Sequence, residues 1–222
     1  TEIYTLSLHD ALPIFLLLMQ DSGELRATGG FLTEVVMLGF NDAHLIDSQV
    51  FHVNELDERI YGKKKRLSEI KDLLKEENAF LHDANWQSDF SKSSQEIKWF
   101  VEQATGSKID LIVVLNSKIL QELLAVLGDF KISDDLTINA ENFLTKLEES
   151  AVTDSKVSTQ NNFSWKFTNS LFDKFIKLSD QELSLFNDFL IKQLNQKEIL
   201  LYSDHQALQQ AIERKSWSGE RA

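Results

Sequence analysis

Two short segments carry the side chains whose types and spacing could do chemistry. The first, residues 21–31, reads DSGELRATGGF, and its candidate binding residues are Glu24, Arg26, Thr28, Gly29 and Gly30. A guanidinium presents a planar fork of donors that fits phosphate or carboxylate, and glycine amides can approach an anion closely. The segment predicts an anion or ligand site. The alternative is that Arg26 pairs with a neighbouring acid and the glycines serve backbone geometry.

The second segment, residues 81–90, reads LHDANWQSDF. Asp83 and Asp89 offer carboxylate oxygens, which are the ligands that Mg²⁺ prefers, so they are the candidate metal residues. Asn85 and Trp86 are candidate ligand-binding residues. The alternatives are that Asp89 caps a helix and that Trp86 covers the core.

One further candidate lies near the other end of the chain. Arg214 falls on the last predicted helix and is a candidate for anion binding, with a solvated surface position as its alternative. The scattered histidines lack metal-ligand spacing and are predicted to be structural. Cysteine is absent, which excludes disulfides, zinc–thiolate sites and cysteine nucleophiles.

Predicted strands place the first segment at the edge of a sheet. The buried run Phe15–Met19 directly precedes it, so the segment lies at the carboxyl end of a strand, where open α/β sheets bind ligands. Phe31–Phe40 and Ala43–Val53 flank the turn at 41–42 and predict a hairpin. The β-branched run Ile109–Leu115 predicts another buried strand, and a helix that ends at a glycine follows it. This order favours parallel pairing.

Capping residues predict where the helices begin. The predicted starts lie at or just after Ser68, Ser93, Ser117, Asn139, Ser179 and Ser203, and Ser93 and Ser179 each have a Glu three residues later. Gly106 and Gly128 are predicted helix ends. The fold class is therefore α/β, with a mixed central sheet, helices on both faces and a helical C-terminal portion on the same core.

The domain organisation follows from the same pattern. Residues 15–219 are predicted to form a single α/β domain with a polar linker near 152–162 inside it. Residues 1–14 resemble translated sequencing-adapter sequence and are interpreted as a non-native segment. Residues 220–222 are expected to be a truncated continuation. If these expectations hold, a native N-terminal segment is missing.

The charge balance excludes some partners. Lys and Arg total 23 against 35 Asp and Glu, a formal charge of −12. Sequence-independent binding of nucleic acid needs clustered Lys and Arg, so nucleic acid is not an expected partner. No apolar run reaches the roughly 18 residues that a membrane span needs.

Four blocks of the sequence resemble one bacterial family in the same order. They are FLLLMQDSGELRATGGF, LHDANWQSDF, the stretch from SQEIKWF to LLAVLGDFKI, and ILLYSDHQALQQAIERKSWSG. Together they resemble the bacterial domain of unknown function 4012 (DUF4012) over residues 15–219. The chain departs from the family pattern at Ala27, at Gln87 or Ser88, and at Ser91, where the family has proline, and at His82, where it has arginine.

The resemblance implies a location rather than a reaction. Members of this family look like envelope proteins with a membrane helix ahead of the domain, so the expected location is the extracytoplasmic side of the bacterial membrane. The membrane contact would then be a missing N-terminal anchor. A non-catalytic domain that binds cell-wall glycan or a protein partner is one function that this implies.

A more distant resemblance implies an enzyme. The order of strand, Arg loop, hairpin, Asp loop and helix–strand–helix is similar to the LytR-CpsA-Psr phosphotransferases, which move glycopolymers from polyprenyl-pyrophosphate carriers to the cell wall. By that analogy Arg26 would hold the pyrophosphate, and Asp83 with Asp89 would hold Mg²⁺. No cofactor is certain, and Mg²⁺ belongs to this alternative only. Convergence of these three side chains in one cleft would favour the enzyme.

Overall fold

A mixed sheet forms the centre of the structure. The structure is a computed structural model that describes residues 13–219 except Ser22, Leu25, Ala43, 66–74 and 154–161. The side chains of 151–153 also lie outside the description. The sheet strands are β1 (Ile14–Asp21), β2 (Phe31–Asn41), β3 (His44–His52), β4 (Leu111–Asn116) and β7 (Leu200–Tyr202), in the order β3-β2-β1-β4-β7. β1 and β4 are parallel, and the other neighbours are antiparallel. A separate ribbon pairs β5 (Phe130–Ser133) with β6 (Leu136–Ile138).

Helices follow the sheet strands and dominate the C-terminal part. Their bounds are α1 (Val53–Arg59), α2 (Phe90–Thr105), α3 (Ser117–Leu127), α4 (Phe143–Thr153), α5 (Phe163–Phe175), α6 (Asp180–Asn195) and α7 (Gln206–Arg214), with a 3-10 turn at Leu81–Asp83. Among the residues described, no helix has both the length and the apolar character that a membrane crossing requires.

Both faces of the sheet are covered, because successive side chains of a strand point to opposite faces. On one face, Leu16 and Leu18 of β1 belong to a buried cluster with Phe100 of α2. On the other face, Leu17 belongs to a cluster with Trp165 of α5. The predicted fold class, a mixed sheet with helices on both faces, is confirmed.

The C-terminal helices extend the same core. Met19 of β1 and Leu115 of β4 pack against a cluster of aromatic and aliphatic side chains from α3, β5, α4 and α5. Phe143 and Phe167 are at its centre, with ring centroids 4.9 Å apart. The helical portion is therefore continuous with the sheet, as the sequence predicts.

Several local signals are confirmed. The hairpin turns at Asp42, which takes a positive φ of 46°, and Gly106 ends α2 in the left-handed conformation. Ser179 and Glu182 form the predicted capping box of α6. The predicted helix start at Ser68 lies outside the described residues, as do residues 1–12. Most of the predicted linker also lies outside them, but its last residue, Asn162, is described and caps α5.

Two predicted helix starts are wrong. α2 begins at Phe90 with Asp89 as its cap, because the Ser93 hydroxyl donates to the Gln87 carbonyl instead of capping. α7 begins at Gln206, because the Ser203 hydroxyl donates to the Asp110 carbonyl.

Candidate functional site

Buried hydrogen bonds join the two sequence segments. The Asn85 amide nitrogen donates to the Gly30 carbonyl at 2.7 Å and to the Thr28 hydroxyl oxygen at 3.1 Å. The Gln20 amide nitrogen donates to the same hydroxyl oxygen at 2.7 Å. Asn85 and Gln20 are 0% and 3% exposed. Because buried polar groups must find partners, this network holds the 21–31 loop at the carboxyl end of β1.

The two glycines of the first segment meet steric demands of this loop. A Cβ atom at Gly30 would lie 2.4 Å from the backbone oxygen of Asp21, which is closer than any real contact allows. Gly29 has a φ of 116°, a conformation that side chains disfavour. The glycines therefore have the backbone role that the sequence left open.

Arg26 lies on the surface side of the same loop. Its guanidinium is 4.9 Å from the centre of the Phe31 ring, and one of its nitrogens is 3.8 Å from the Glu24 carboxylate. The neighbouring-acid alternative thus describes the geometry, and at 3.8 Å with Glu24 58% exposed the pair adds little stability. Arg26 and Glu24 do not line the cleft described below.

The two candidate metal residues have different partners. The Asp89 carboxylate accepts from the Lys92 amide as the cap of α2 and lies 3.3 Å from the Lys92 ammonium. The Asp83 carboxylate lies 3.4 Å from His82 Nε2. Over the part of the chain that the structure describes, no three His, Cys, Asp or Glu side chains are grouped to hold a metal ion.

His82 of the second segment is held by two carboxylates. Its Nδ1 is 2.7 Å from the buried carboxylate of Asp57, which also accepts from the Leu81 amide. Hydrogen bonds to Asp57 and Asp83 raise the pKa of His82 to about 9, against the effect of burial. With this pKa the ring is a cation at neutral pH, at the position where the resemblance to the family implies an arginine.

The remaining candidates are surface residues. Trp86 is 39% exposed beside the 3-10 turn, and its candidate role stays a prediction. Arg214 is exposed in the last turn of α7 and does not line the cleft described next. Its solvated alternative fits this position.

A cleft of about 230 Å³ opens at the carboxyl ends of the two parallel strands. Its lining comes from β1, β2, β3, the start of α3, and helices α4 and α5. The lining residues are Met19, Gln20, Asp21, Thr33, Glu34, His52, Ser117, Leu144, Leu147, Glu148, Ser150 and Ser164. This is the position at which α/β sheets bind ligands, because loops and helix starts converge there.

Buried polar atoms line this cleft. Glu34 is buried, and one of its carboxylate oxygens lies 3.2 Å from His52 Nδ1. The other ring nitrogen of His52 and the Oε1 atom of Gln20 are buried and make no hydrogen bond within the described residues. Buried polar atoms without protein partners are normally satisfied by water or a ligand.

Sequence reasoning missed the cleft almost entirely. Of its lining, only Gln20 and Asp21 border a predicted segment, and Glu34 and His52 lie in the hairpin that was assigned a structural role. The available signal was an acid in an otherwise apolar strand, Glu34 in FLTEVVMLGF. An inward-facing charge in such a strand requires a polar partner.

Comparison with known proteins identifies the sequence pattern. The model of a family described as protein of unknown function (DUF4012) matches residues 14–151, more than half of the chain. No curated protein matches the chain in sequence.

Solved structures show a likeness of fold. A Bacillus subtilis protein described as the transcriptional regulator yvhJ matches with a TM-score of 0.50 at 11% identity, over 91% of this chain and 76% of that one. A putative transcription regulator from Eubacterium siraeum matches with a TM-score of 0.49 at 11% identity, over 99% and 81%. B. subtilis TagV, of the LytR-CpsA-Psr type, matches with a TM-score of 0.48 at 11% identity, over 94% and 80%.

Proposed function

The chain belongs to the DUF4012 family, and we propose that it is a binding domain of the bacterial cell envelope that holds a glycan in the cleft at the carboxyl ends of β1 and β4. The observation that carries this proposal is the cleft itself, in which buried polar atoms that have no hydrogen-bond partner among the described residues lie beside an apolar wall. A concave site with a few polar groups on an apolar lining is typical of small-ligand binding.

The lining favours a neutral ligand rich in hydroxyl groups. Glu34 and the Oε1 atom of Gln20 accept hydrogen bonds from hydroxyls, and Leu144 and Leu147 present aliphatic surface to the C–H groups of a sugar ring. Asp21 and Glu148 add two more carboxylates to the lining. This excess of acids disfavours a phosphate or pyrophosphate group in the cleft.

The volume sets how much of a glycan the cleft takes. Sites for drug-sized ligands span roughly 300–1,000 Å³. At about 230 Å³ the cleft is smaller, so it would take the end of a glycan rather than a long stretch of one. A protein partner instead requires a broad surface, which a cleft of this size does not offer.

The envelope location rests on the family. The resemblance to this family implies envelope proteins with a membrane helix ahead of the domain, and the family model matches residues 14–151 of this chain. A role in DNA binding, which the description of yvhJ would suggest, suits this chain poorly because its formal charge is −12. The anchor and the location are parts of the proposal.

The second candidate is a phosphotransferase that acts on polyprenyl-pyrophosphate-linked glycans. Two cations flank the Phe31 ring: the Arg26 guanidinium lies 4.9 Å from the ring centre, and the His82 ring lies 6.0 Å from it. A pair of neighbouring cations favours this candidate because a pyrophosphate is an anion. Both cations already face carboxylates, so a pyrophosphate would have to displace them. Mg²⁺ would also need ligands other than the separately engaged Asp83 and Asp89.

A thermal-shift experiment with a cleft-filling variant tests the glycan proposal. The probe is the soluble glycan released from bacterial cell wall by muramidase. Binding at a hundredfold excess over Kd stabilises the native state by about 2.7 kcal/mol, which is readily measured. We expect the shift to be lost in Leu144→Trp, whose indole would fill the cleft, and kept in Leu185→Trp on the exposed surface of α6.

The same experiment separates the two candidates. Polyprenyl pyrophosphate with and without Mg²⁺ is the second probe. A Mg²⁺-dependent shift that Arg26→Ala abolishes would favour the phosphotransferase. No shift with the wall glycan, or an unchanged shift in Leu144→Trp, would contradict glycan binding in the cleft.

A further inference from the structure

Four rings form a continuous row on the surface beside the second segment. The Tyr61 and Phe80 ring centres are 5.9 Å apart, and Phe80 stacks on His82 at 5.0 Å with an interplanar angle of 21°. His82 continues to Phe31 at 6.0 Å. We call these four side chains the aromatic strip, and the Arg26 guanidinium over Phe31 closes one end of it.

The fold assembles this strip from three places in the chain. Phe31 begins β2, and Tyr61 follows α1. Phe80 immediately precedes the 3-10 turn, and His82 lies within it. Tyr61 is 65% exposed, and the other three rings are half-buried. A contiguous apolar patch with a polar border is characteristic of binding surfaces.

Hydrogen-bonding side chains border the strip on one side. Asn54 and Glu58 are exposed on α1, one helical turn apart, and with Tyr61 they follow one side of a shallow groove of about 380 Å³. Asp57, Phe80 and His82 line the rest of this groove. An amide and a carboxylate beside aromatic faces offer both donors and acceptors next to an apolar platform.

The charges of the surface select among ligands that stack on rings. The Arg26 guanidinium and the His82 cation lie within the row, so an ammonium ligand would meet like charge. Glu58 and Asp83 border it, and the whole chain carries −12, so a polyanion such as nucleic acid is also repelled. An uncharged ligand with apolar faces and hydroxyl edges meets neither penalty.

We propose that the aromatic strip is a second binding site, which takes successive residues of an uncharged glycan chain along Tyr61, Phe80, His82 and Phe31. Sugar rings would lie on the aromatic faces, and their hydroxyls would bond to Asn54 and Glu58. The strip shares no residue with the cleft, so this proposal stands or fails independently of the proposed function.

Native affinity electrophoresis tests the strip with defined probes. Gels containing dextran, galactomannan or glycol chitin supply uncharged glycans, and polygalacturonate supplies a polyanion. We expect at least one uncharged glycan to retard the protein. Tyr61→Ala should raise the dissociation constant about fivefold, the equivalent of about 1 kcal/mol for one stacked ring.

Control variants separate stacking from other effects. Tyr61→Phe keeps the ring and should be retarded like the parent protein, as should Leu208→Ala, which trims an exposed apolar side chain on α7. The comparison is made in a Leu144→Trp background, which removes any contribution of the cleft to glycan binding. Either of two results would overturn the proposal: no retardation by an uncharged glycan in that background, or equal retardation with and without Tyr61→Ala.

Discussion

Two regions of this molecule join distant parts of the chain by opposite means. The polar junction, made of Thr28, Gly30, Asp57, His82 and Asn85, uses hydrogen bonds between specific atoms. The phenylalanine cluster, made of Phe130, Phe143, Phe163 and Phe167, uses ring contacts with centroids 4.9–6.4 Å apart.

The difference shows that the junction depends on hydrogen-bond geometry, whereas the cluster depends on the volume of its buried apolar side chains. Burial of apolar rings is nondirectional, so the cluster can hold helices together with little demand on any one angle. Hydrogen bonds weaken steeply with misalignment, so the junction fixes the 21–31 loop and the 3-10 turn in one arrangement. The aromatic strip is anchored to this junction through His82, and the cleft adjoins it through Gln20.

The largest effect is expected in the cluster. Phe143→Ala should lower the free energy of unfolding by about 4 kcal/mol, because it leaves a cavity at a fully buried position. The loss should be independent of pH between 6 and 9, as measured by urea unfolding. Phe143→Leu retains most of the volume and should cost far less. A loss of less than about 1 kcal/mol in Phe143→Ala would mean that the cluster is not a core.

Unlike the cluster, the junction should contribute a free energy of unfolding that depends on pH. His82→Gln leaves the buried Asp57 carboxylate without its cation and should cost about 3 kcal/mol at pH 6. Because the pKa of His82 is raised from 6.5 to about 9, its stabilisation is complete below about pH 6.5 and is lost as pH rises through about 9. The two proteins should therefore converge towards pH 10.

Urea unfolding from pH 6 to pH 10 measures this convergence. His205→Gln is the matched control, because His205 is exposed at the start of α7 and its side chain does not cap the helix. A constant difference between His82→Gln and the parent protein over the whole range would refute the buried ion pair.

A smaller effect is expected at the neutral end of the junction. Asn85→Ala removes the donor to the Gly30 carbonyl and should cost about 2 kcal/mol, the penalty for leaving a buried acceptor without a partner. Hydrogen exchange of the amides in the 21–31 loop should accelerate as well. Asn187→Ala, at an exposed position on α6, should change neither quantity. Unchanged exchange in Asn85→Ala would show that the loop is held by other contacts.

The smallest effect is expected at the hydrogen-bonded cap of α5, which lies beside the phenylalanine cluster. The Asn162 side chain accepts from the Trp165 amide and caps α5, which carries Phe163 and Phe167. Asn162→Ala should cost about 1 kcal/mol in thermal or urea unfolding. Asn162→Asp keeps the acceptor and should restore most of the loss. If Asn162→Ala lowers the free energy of unfolding as much as Phe143→Ala does, the cluster depends on hydrogen-bond geometry as strongly as the junction does.

Much of the fold was predictable because its signals are local. The apolar run of β1, the β-branched run of β4 and the capping box of α6 each determine their structure within a few residues. The cap of α2 was assigned to Ser93 rather than Asp89 because both residues precede the same apolar stripe. Only the competing bond from Ser93 to the Gln87 carbonyl decides between them.

The candidate site was predictable in part. The sequence indicated both segments and the carboxyl end of β1, and the structure brings the segments together through Asn85 and Thr28. The functions of Arg26, Asp83 and Asp89 remain predictions, and the structure gives each of them a protein partner. Side-chain partners that are distant in the chain leave no local signal.

The composition and local patterns alone determined the α/β class, the hairpin, the strand end that carries the first segment and an acidic charge that disfavours nucleic acid. Only the tertiary structure decided which side chains face one another. A bulge at Gly39–Phe40 shifts the hairpin register by one residue and sets Glu34 opposite His52 in the cleft, where an unshifted register would set it opposite Phe51. Because alternate residues of a strand point to opposite faces, that single shift changes which side chain Glu34 meets.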